Sequence, residues 1–281
     1  MLKINITNFL ENQKKSAISM ILALKKKKRR VVIILAFLVL LLLASVINFR
    51  LWNQEEKIGW VTDIHSGGSG KRAISETNIV YPIKAAETFN AVMKKMKRNG
   101  VTTVISTGDQ TSGGDKKYPG KLMRAALENK KIKMLWVYGN HDLGDSMSLL
   151  DTPQSYYVYD TKSFRIIVLD RRELEDQISK DQLDWLAEKI AESALPVIIA
   201  SHAPIIDYDK SSAYPSCVEL EKMISSSNNK VKYVLSGHLH KELRANLNGV
   251  DYMTAYPLTF KDHFGSYYEI SLKEGIVGKN L

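Results

Sequence analysis

Five of the chain's six histidines stand directly after short apolar runs that read as strands. Asp63-Ile64-His65, Gly108-Asp109 and Gly139-Asn140-His141-Asp142 follow three such runs, and Ser201-His202 and Gly237-His238-Leu239-His240 follow two more. Imidazole and carboxylate are the groups that ligate metals and move protons near neutral pH. Taken singly each motif is weak. A His after a strand is more often a hydrogen-bonding residue, and an Asp there often only caps a helix or makes a turn. Together they form a set of oxygen and nitrogen donors with no thiolate, which suits divalent or trivalent Mn, Fe or Zn. Each motif carries a Gly, Ser or other small residue, so the backbone can turn sharply and aim its side chains into one pocket.

The elements that must position these residues alternate between strand-like and helix-like. Strands are expected at Lys57–Thr62, Val101–Ser106, Ile132–Tyr138, Tyr156–Tyr159, Phe164–Leu169, Leu195–Ala200, Val231–Leu235, Tyr252–Thr254 and Tyr267–Ser271. Helical spacing runs through Pro82–Arg98 and Lys121–Asn129, and Ser179-x-x-Gln182 is a capping box that opens a further helix. Such alternation predicts an α/β domain with helices over central sheets. Sites in such sheets collect beyond the carboxyl ends of strands, where the five motifs fall.

In this order, D-x-H-x-G (Asp63 to Gly67), G-D (Gly108-Asp109), G-N-H-D (Gly139 to Asp142), S-H-A-P (Ser201 to Pro204) and G-H-x-H (Gly237 to His240) resemble the motif set of the calcineurin-like metallophosphoesterases. The likeness runs from about Lys57 to about Ala255. It implies a four-layer αββα sandwich and a hydrolase that cleaves phosphodiesters or phosphomonoesters with two metal ions. By the resemblance, Asp63, His65 and His240 hold one ion, Asn140, His202 and His238 the other, and Asp109 bridges them. His141 faces the scissile phosphate without binding metal. Two ions about 3.5–4 Å apart neutralise the ester's charge and acidify a bridging water, so that hydroxide attacks in line. His141 then stabilises or protonates the leaving oxygen. Asp142 either orients His141 or is a plain turn residue. Asn140 and Arg171 are the candidates for holding the substrate, Arg171 because an arginine at a strand end can grip a phosphate oxygen. Gln110 replaces the Asn or hydrophobe that many members carry after the bridging Asp. Trp136 and Trp185 read as packing residues, and His263 lies outside every motif.

Charge and hydropathy bound the rest. Residues 1–50 hold ten Lys/Arg and one acid, Glu11; taking these from the chain's 40 basic and 30 acidic residues leaves 30 and 29 in 51–281. A near-neutral domain lacks the clustered positive charge of a nucleic-acid surface. No nucleic-acid partner is therefore expected, and a nuclease of the same superfamily is the weaker alternative. A catalytically inactive binding module is the other, disfavoured because the bridging Asp and the catalytic His are both retained. The single cysteine, Cys217, allows no intrachain disulfide. Residues 31–49 are uncharged and long enough to cross a bilayer, with Lys25–Arg30 immediately before them. That bias predicts a single-pass anchor with a cytosolic basic tail (1–30), a membrane span (31–49), a linker (50–56) and an extracytoplasmic catalytic domain (57–281). The bilayer and an envelope or extracellular phosphoester are then the expected partners. Neither the exact substrate nor the oligomeric state is legible.

Overall fold

Each ligand motif sits where a strand of one of two packed sheets ends. The structure, a computed structural model, describes residues 55–67, 72–73, 79–112, 117–129, 131–142, 150, 154–173, 178–208 and 217–281, with scattered positions between 14 and 45. The chain divides into Met1–Gln54 and Glu55–Leu281. In the first unit, residues 37–45 are helical and their large apolar side chains are exposed. Among the described residues no helix is long and apolar enough to cross a membrane. Eight residues of the 31–49 stretch, like most of the basic tail, lie outside them.

In the second unit the order is β1 (Lys57–Val61), β2 (Arg72–Ala73), β3 (Ile79–Val80), a 3-10 turn at Pro82–Lys84, α1 (Ala85–Arg98), β4 (Val101–Ser106), α2 (Lys117–Glu128), β5 (Lys133–Trp136), β6 (Tyr157–Asp160) and β7 (Arg165–Val168). There follow α3 (Lys180–Ala191), β8 (Val197–Ala200), α4 (Val218–Ser225), β9 (Val231–Ser236), β10 (Leu243–Leu247), β11 (Val250–Thr254), β12 (Tyr267–Ser271) and β13 (Gly275–Lys279). One sheet runs β13-β12-β1-β4-β5 and the other β10-β11-β9-β8-β7-β6. The middle strands are parallel: β1, β4 and β5 in the first sheet, β7, β8, β9 and β11 in the second. All of them therefore end on one side of the domain.

Residue alternation builds the layers. In β8, Ile198 and Ala200 join the core between the sheets, while Val197 and Ile199 join the core under α3 and α4. The inter-sheet core takes Ile58, Trp60, Ile105 and Val137 from the first sheet and Phe164, Ile166, Val168 and Leu235 from the second. On the outer face of the first sheet, α1 buries Phe89, Val92, Met93 and Met96 completely. Each such side chain stabilises the fold by about 1.5–3 kcal/mol relative to exposure. The three cores separate four layers, as the motif resemblance implied.

The expected helices and strands are present, with shifts at their ends. The helical spacing from Pro82 opens as a 3-10 turn, and α2 starts four residues before Lys121. The Ser179 side chain accepts from the Gln182 N–H at 3.3 Å, which is half of the expected capping box, while the Gln182 side chain accepts instead from the Asp170 N–H at 2.9 Å. Trp136 is buried against Phe89, and Trp185 packs edge-on to Tyr156. Two residues of the expected linker are already tied to the domain. Glu55 accepts from the Lys273 N–H at 2.6 Å, and Glu56 from the Ser163 N–H at 2.7 Å.

Candidate metal centre

The strands of both sheets deliver their motifs to one buried place. Asp63 and His65 follow β1, Asp109 follows β4, Asn140 follows β5, His202 follows β8, and His238 and His240 follow β9. Asp63, His65, Asp109, His238 and His240 all adopt φ between 47° and 68°. That left-handed region is sparsely populated by residues with a side chain, and strain held there clusters at functional sites. Close packing forces glycine at two neighbouring positions. A Cβ on Gly139 would collide with the Asp109 backbone and carboxylate, and one on Gly237 with Thr62 Oγ1 and Asp63 Oδ2.

Two groups of donors meet at Asp109. In the first, His65 Nε2 and His240 Nε2 are 3.1 Å apart, and His240 Nε2 is 3.1 Å from Asp63 Oδ1. Asp109 Oδ2 lies 3.6 Å from the His65 nitrogen. In the second, His202 Nε2 is 2.9 Å from Asn140 Oδ1 and 3.3 Å from His238 Nδ1. Asp109 Oδ1 is 3.4 Å from the same His202 nitrogen. The two oxygens of one carboxylate thus face two different clusters.

Electrostatics suit these residues to cations. Burial, reinforced by neighbouring imidazoles, pushes His65 down to about 3 and His238 down to about 4. Both rings are therefore neutral at physiological pH, with a lone pair to give. Burial alone would raise the carboxyls of Asp63 and Asp109, but the imidazoles around them outweigh it and keep both ionised. Burial also opposes charge on His202, yet Asp109 and Asp63 overcome it and lift that ring to about 10. Asp63, His65, Asp109 and His240 bring one ligand atom each within 4.8 Å of one another, all buried. Imidazole nitrogens aimed at each other across two carboxylates are what a shared cation would hold together, so the residues fit a metal.

The remaining sequence candidates divide. The His141 side chain stays 32% exposed at the rim, its Nε2 4.0 Å from Asp109 Oδ2. Its backbone N–H donates to Asp109 Oδ1 at 2.9 Å, which ties it to the shared carboxylate. Asp142 is buried and accepts the N–H groups of Gly139 and Thr111, both at 3.0 Å. Of the two roles open to it, these contacts favour the turn residue. Burial, helped by Asp109, pushes its carboxyl up to about 7. Arg171 is fully buried and donates to the Pro204 carbonyl, bracing the segment after His202. Its neighbour Arg172 is the exposed one, paired with Asp170 and lying 4.8 Å over the Tyr138 ring.

Two further residues support this arrangement: Thr62, which no motif marked, and Gln110, noted in the sequence only as a departure after Asp109. Thr62 donates to Asp63 Oδ2 at 2.6 Å, and adjacency to Asp63 is its only signal in the sequence. Gln110 turns inward, accepting from Ser106 Oγ and donating to the Val137 carbonyl at 2.8 Å. It clamps the end of β4 to that of β5 beside Asp109.

Comparison with known proteins agrees with this geometry. The family model described as calcineurin-like phosphoesterase matches residues 56–242. A 3',5'-cyclic-nucleotide phosphodiesterase of Nostoc sp. is 26% identical over 208 residues, which cover 70% of this chain and 76% of that protein. A 3',5'-cyclic adenosine monophosphate phosphodiesterase of Escherichia coli is 24% identical over 228 residues, 74% of this chain and 78% of that one. Among solved structures, a dimetal phosphatase from Danio rerio shares the fold with a TM-score of 0.66 at 17% identity, over 81% of this chain and 96% of that one. The matched span takes in every ligand motif from Asp63 to His240, and the chain belongs to the calcineurin-like phosphoesterase family as a metal-dependent phosphoesterase.

Proposed function

We propose that the chain hydrolyses phosphodiesters with two metal ions held on either side of Asp109. The observation that carries this is the division of the Asp109 oxygens between the His65 and His202 clusters. Asp63, His65 and His240 would hold one ion, and Asn140, His202 and His238 the other. Bound there, the ions would neutralise the ester's negative charge and acidify a water enough to ionise near neutral pH. His141 stands outside the buried ligands, half-exposed and fixed by its backbone to Asp109. From there its imidazole gives a proton to the departing oxygen. Asn140, half-buried with its Oδ1 2.9 Å from His202 Nε2, would touch the substrate as well as a metal. Diesters are favoured over monoesters because the relatives named above are phosphodiesterases.

We also infer that residues 31–49 anchor the protein, with Lys25–Arg30 on the cytosolic side and the catalytic unit across the membrane. The uncharged run and its one-sided basic flank support this. Protease protection of the catalytic unit in oriented vesicles tests it.

The activity is tested on the full chain, stripped of metal and reloaded with Mn, Fe or Zn. It should cleave bis(p-nitrophenyl) phosphate and cyclic nucleotides. No turnover with any of these metals between about pH 5 and pH 9 would discard the reading.

A further inference from the structure

A second feature lies at the same end of the sheets, beyond the metal ligands. Tyr256 and His263 stack face to face, ring centroids 4.0 Å apart and planes 9° from parallel. Phe260 continues the layer, 5.3 Å from Tyr256 at 13°. The segment that carries them is fastened to both sides of the metal centre. The Leu258 N–H donates to the Thr62 carbonyl, next to Asp63. Thr254 Oγ1, at the end of β11, donates to the Lys241 carbonyl, next to His240.

The stacked pair borders a cavity of about 320 Å³ whose other walls include Glu242, Arg244, Lys279 and Asn280. Register places this cavity on the ligand side of the domain. Trp60 of β1 pairs with Tyr268 of β12, and Tyr267 pairs with Lys279 of β13. In the other sheet Ser236 of β9 pairs with Thr254 of β11, and Thr254 with Leu243 of β10. Both edge strands are two strands away from those that carry metal ligands. At about 4.8 Å per strand, the edge strands that wall the cavity lie roughly 10 Å to the side of β1 and β9. That separation suits the part of a substrate that does not react.

Its chemistry narrows what that part is. The charges on the walls are already matched, Arg244 to Glu242 at 3.2 Å and Lys279 to Glu269 at 3.5 Å. A second phosphate would find no unpaired cation there. The rings lie parallel, Tyr256 on His263 and Phe260 beside them, rather than around a cage, so they suit another flat ring better than a quaternary ammonium group. We propose that Tyr256 and His263 form a stacking platform that receives the base of a nucleotide substrate while its phosphodiester lies on the metal centre. This makes both residues determinants of specificity. The inference rests on the diesterase reading above and names the class of ester.

The test compares the full metal-loaded chain on adenosine 3',5'-cyclic phosphate and on ribose 3',5'-cyclic phosphate, which lacks the base. Stacking of a base on an aromatic side chain should favour the first by about tenfold or more in kcat/KM. Tyr256→Leu should bring the ratio close to one, His263→Ala should lower it, and Tyr256→Phe should keep it. A ratio near one in the native chain, or a ratio unchanged by Tyr256→Leu, overturns the inference. If neither ester is turned over, the diesterase reading has failed separately. Calorimetry with AMP and ribose 5-phosphate then decides: equal affinities overturn the platform, and an AMP preference lost in Tyr256→Leu sustains it.

Discussion

Asp109 and His202 face each other across 3.4 Å, both buried, and each holds the other in its charged form. In the metal-free protein this pair stores a proton on the ring proposed above as a metal ligand. Because His202 is lifted from 6.5 to about 10, its contribution to stability is complete below about pH 6.5 and is lost as pH rises through 10. Metal must displace that proton, since ligation needs the neutral ring. Affinity should therefore rise with pH over this window, and loading at about pH 8 should release close to one proton. Calorimetric titration of metal in buffers of different ionisation enthalpy reads the release directly. A heat independent of the buffer would show that His202 is not a ligand.

His141 carries the second prediction. Its side chain stays 32% exposed at the rim and is not among the proposed ligands, so its loss should leave metal in place. His141→Ala should lower kcat by about 10²- to 10⁴-fold, the usual loss when a general acid is removed. KM and bound metal should change little. A substrate with a very acidic leaving group should be affected less, because that oxygen departs without a proton. An equal loss on all leaving groups would remove the acid role.

Asp142 separates structure from chemistry. Burial and the nearby Asp109 lift its carboxyl from 3.8 to about 7 in the metal-free protein. For a raised acid the stabilising contribution is complete below about pH 4 and is lost as pH climbs to 7, because the buried group must then ionise. Asp142→Asn cannot ionise. Thermal unfolding of metal-free protein from about pH 4 to 7 should show a downward contribution in the native chain that the variant lacks. Parallel curves would mean that Asp142 is not buried as described.

The gathering of these side chains was legible because chemistry and position coincide. Asp63, His65, Asp109, His202, His238 and His240 each sit one to five residues past a β-branched or apolar run, and parallel strands bring such ends together. Helix ends were less legible. Pro82 stands first in a 3-10 turn that precedes α1, where its missing N–H is no loss, so the helical spacing does not mark where α1 begins. Leu243–Leu247 and Gly275–Lys279 lie on sheet edges, half-exposed, and so lack the apolar run that marks a buried strand. That is why the cavity between those edges left no trace in the sequence, and why His263 took no role there. Arg171 and Arg172 were indistinguishable by type. Only packing shows that the first is buried on the Pro204 carbonyl while the second reaches the surface.

Gln110 provides the last prediction, since it braces the segment of the carboxylate that faces both clusters without touching it. Its amide joins the Ser106 hydroxyl at the end of β4 to the Val137 carbonyl just past β5, and Asp109 is the residue between Gly108 and this clamp. Gln110→Leu keeps the volume roughly but leaves that hydroxyl and that carbonyl buried without the partner they had. Leaving such groups unsatisfied costs about 1–3 kcal/mol. The variant should unfold at lower denaturant with an unchanged slope. The carboxylate that faces both clusters would also lose its fixed orientation, so affinity should fall for both metal ions together rather than for one. Gln110→Glu, which can still accept from Ser106, should recover part of the stability but not the bond to Val137. Metal titration beside denaturant unfolding checks both effects. Unchanged metal affinity in a destabilised Gln110→Leu would confine the clamp to folding and leave Asp109 positioned by its contacts with His141, His65 and His202.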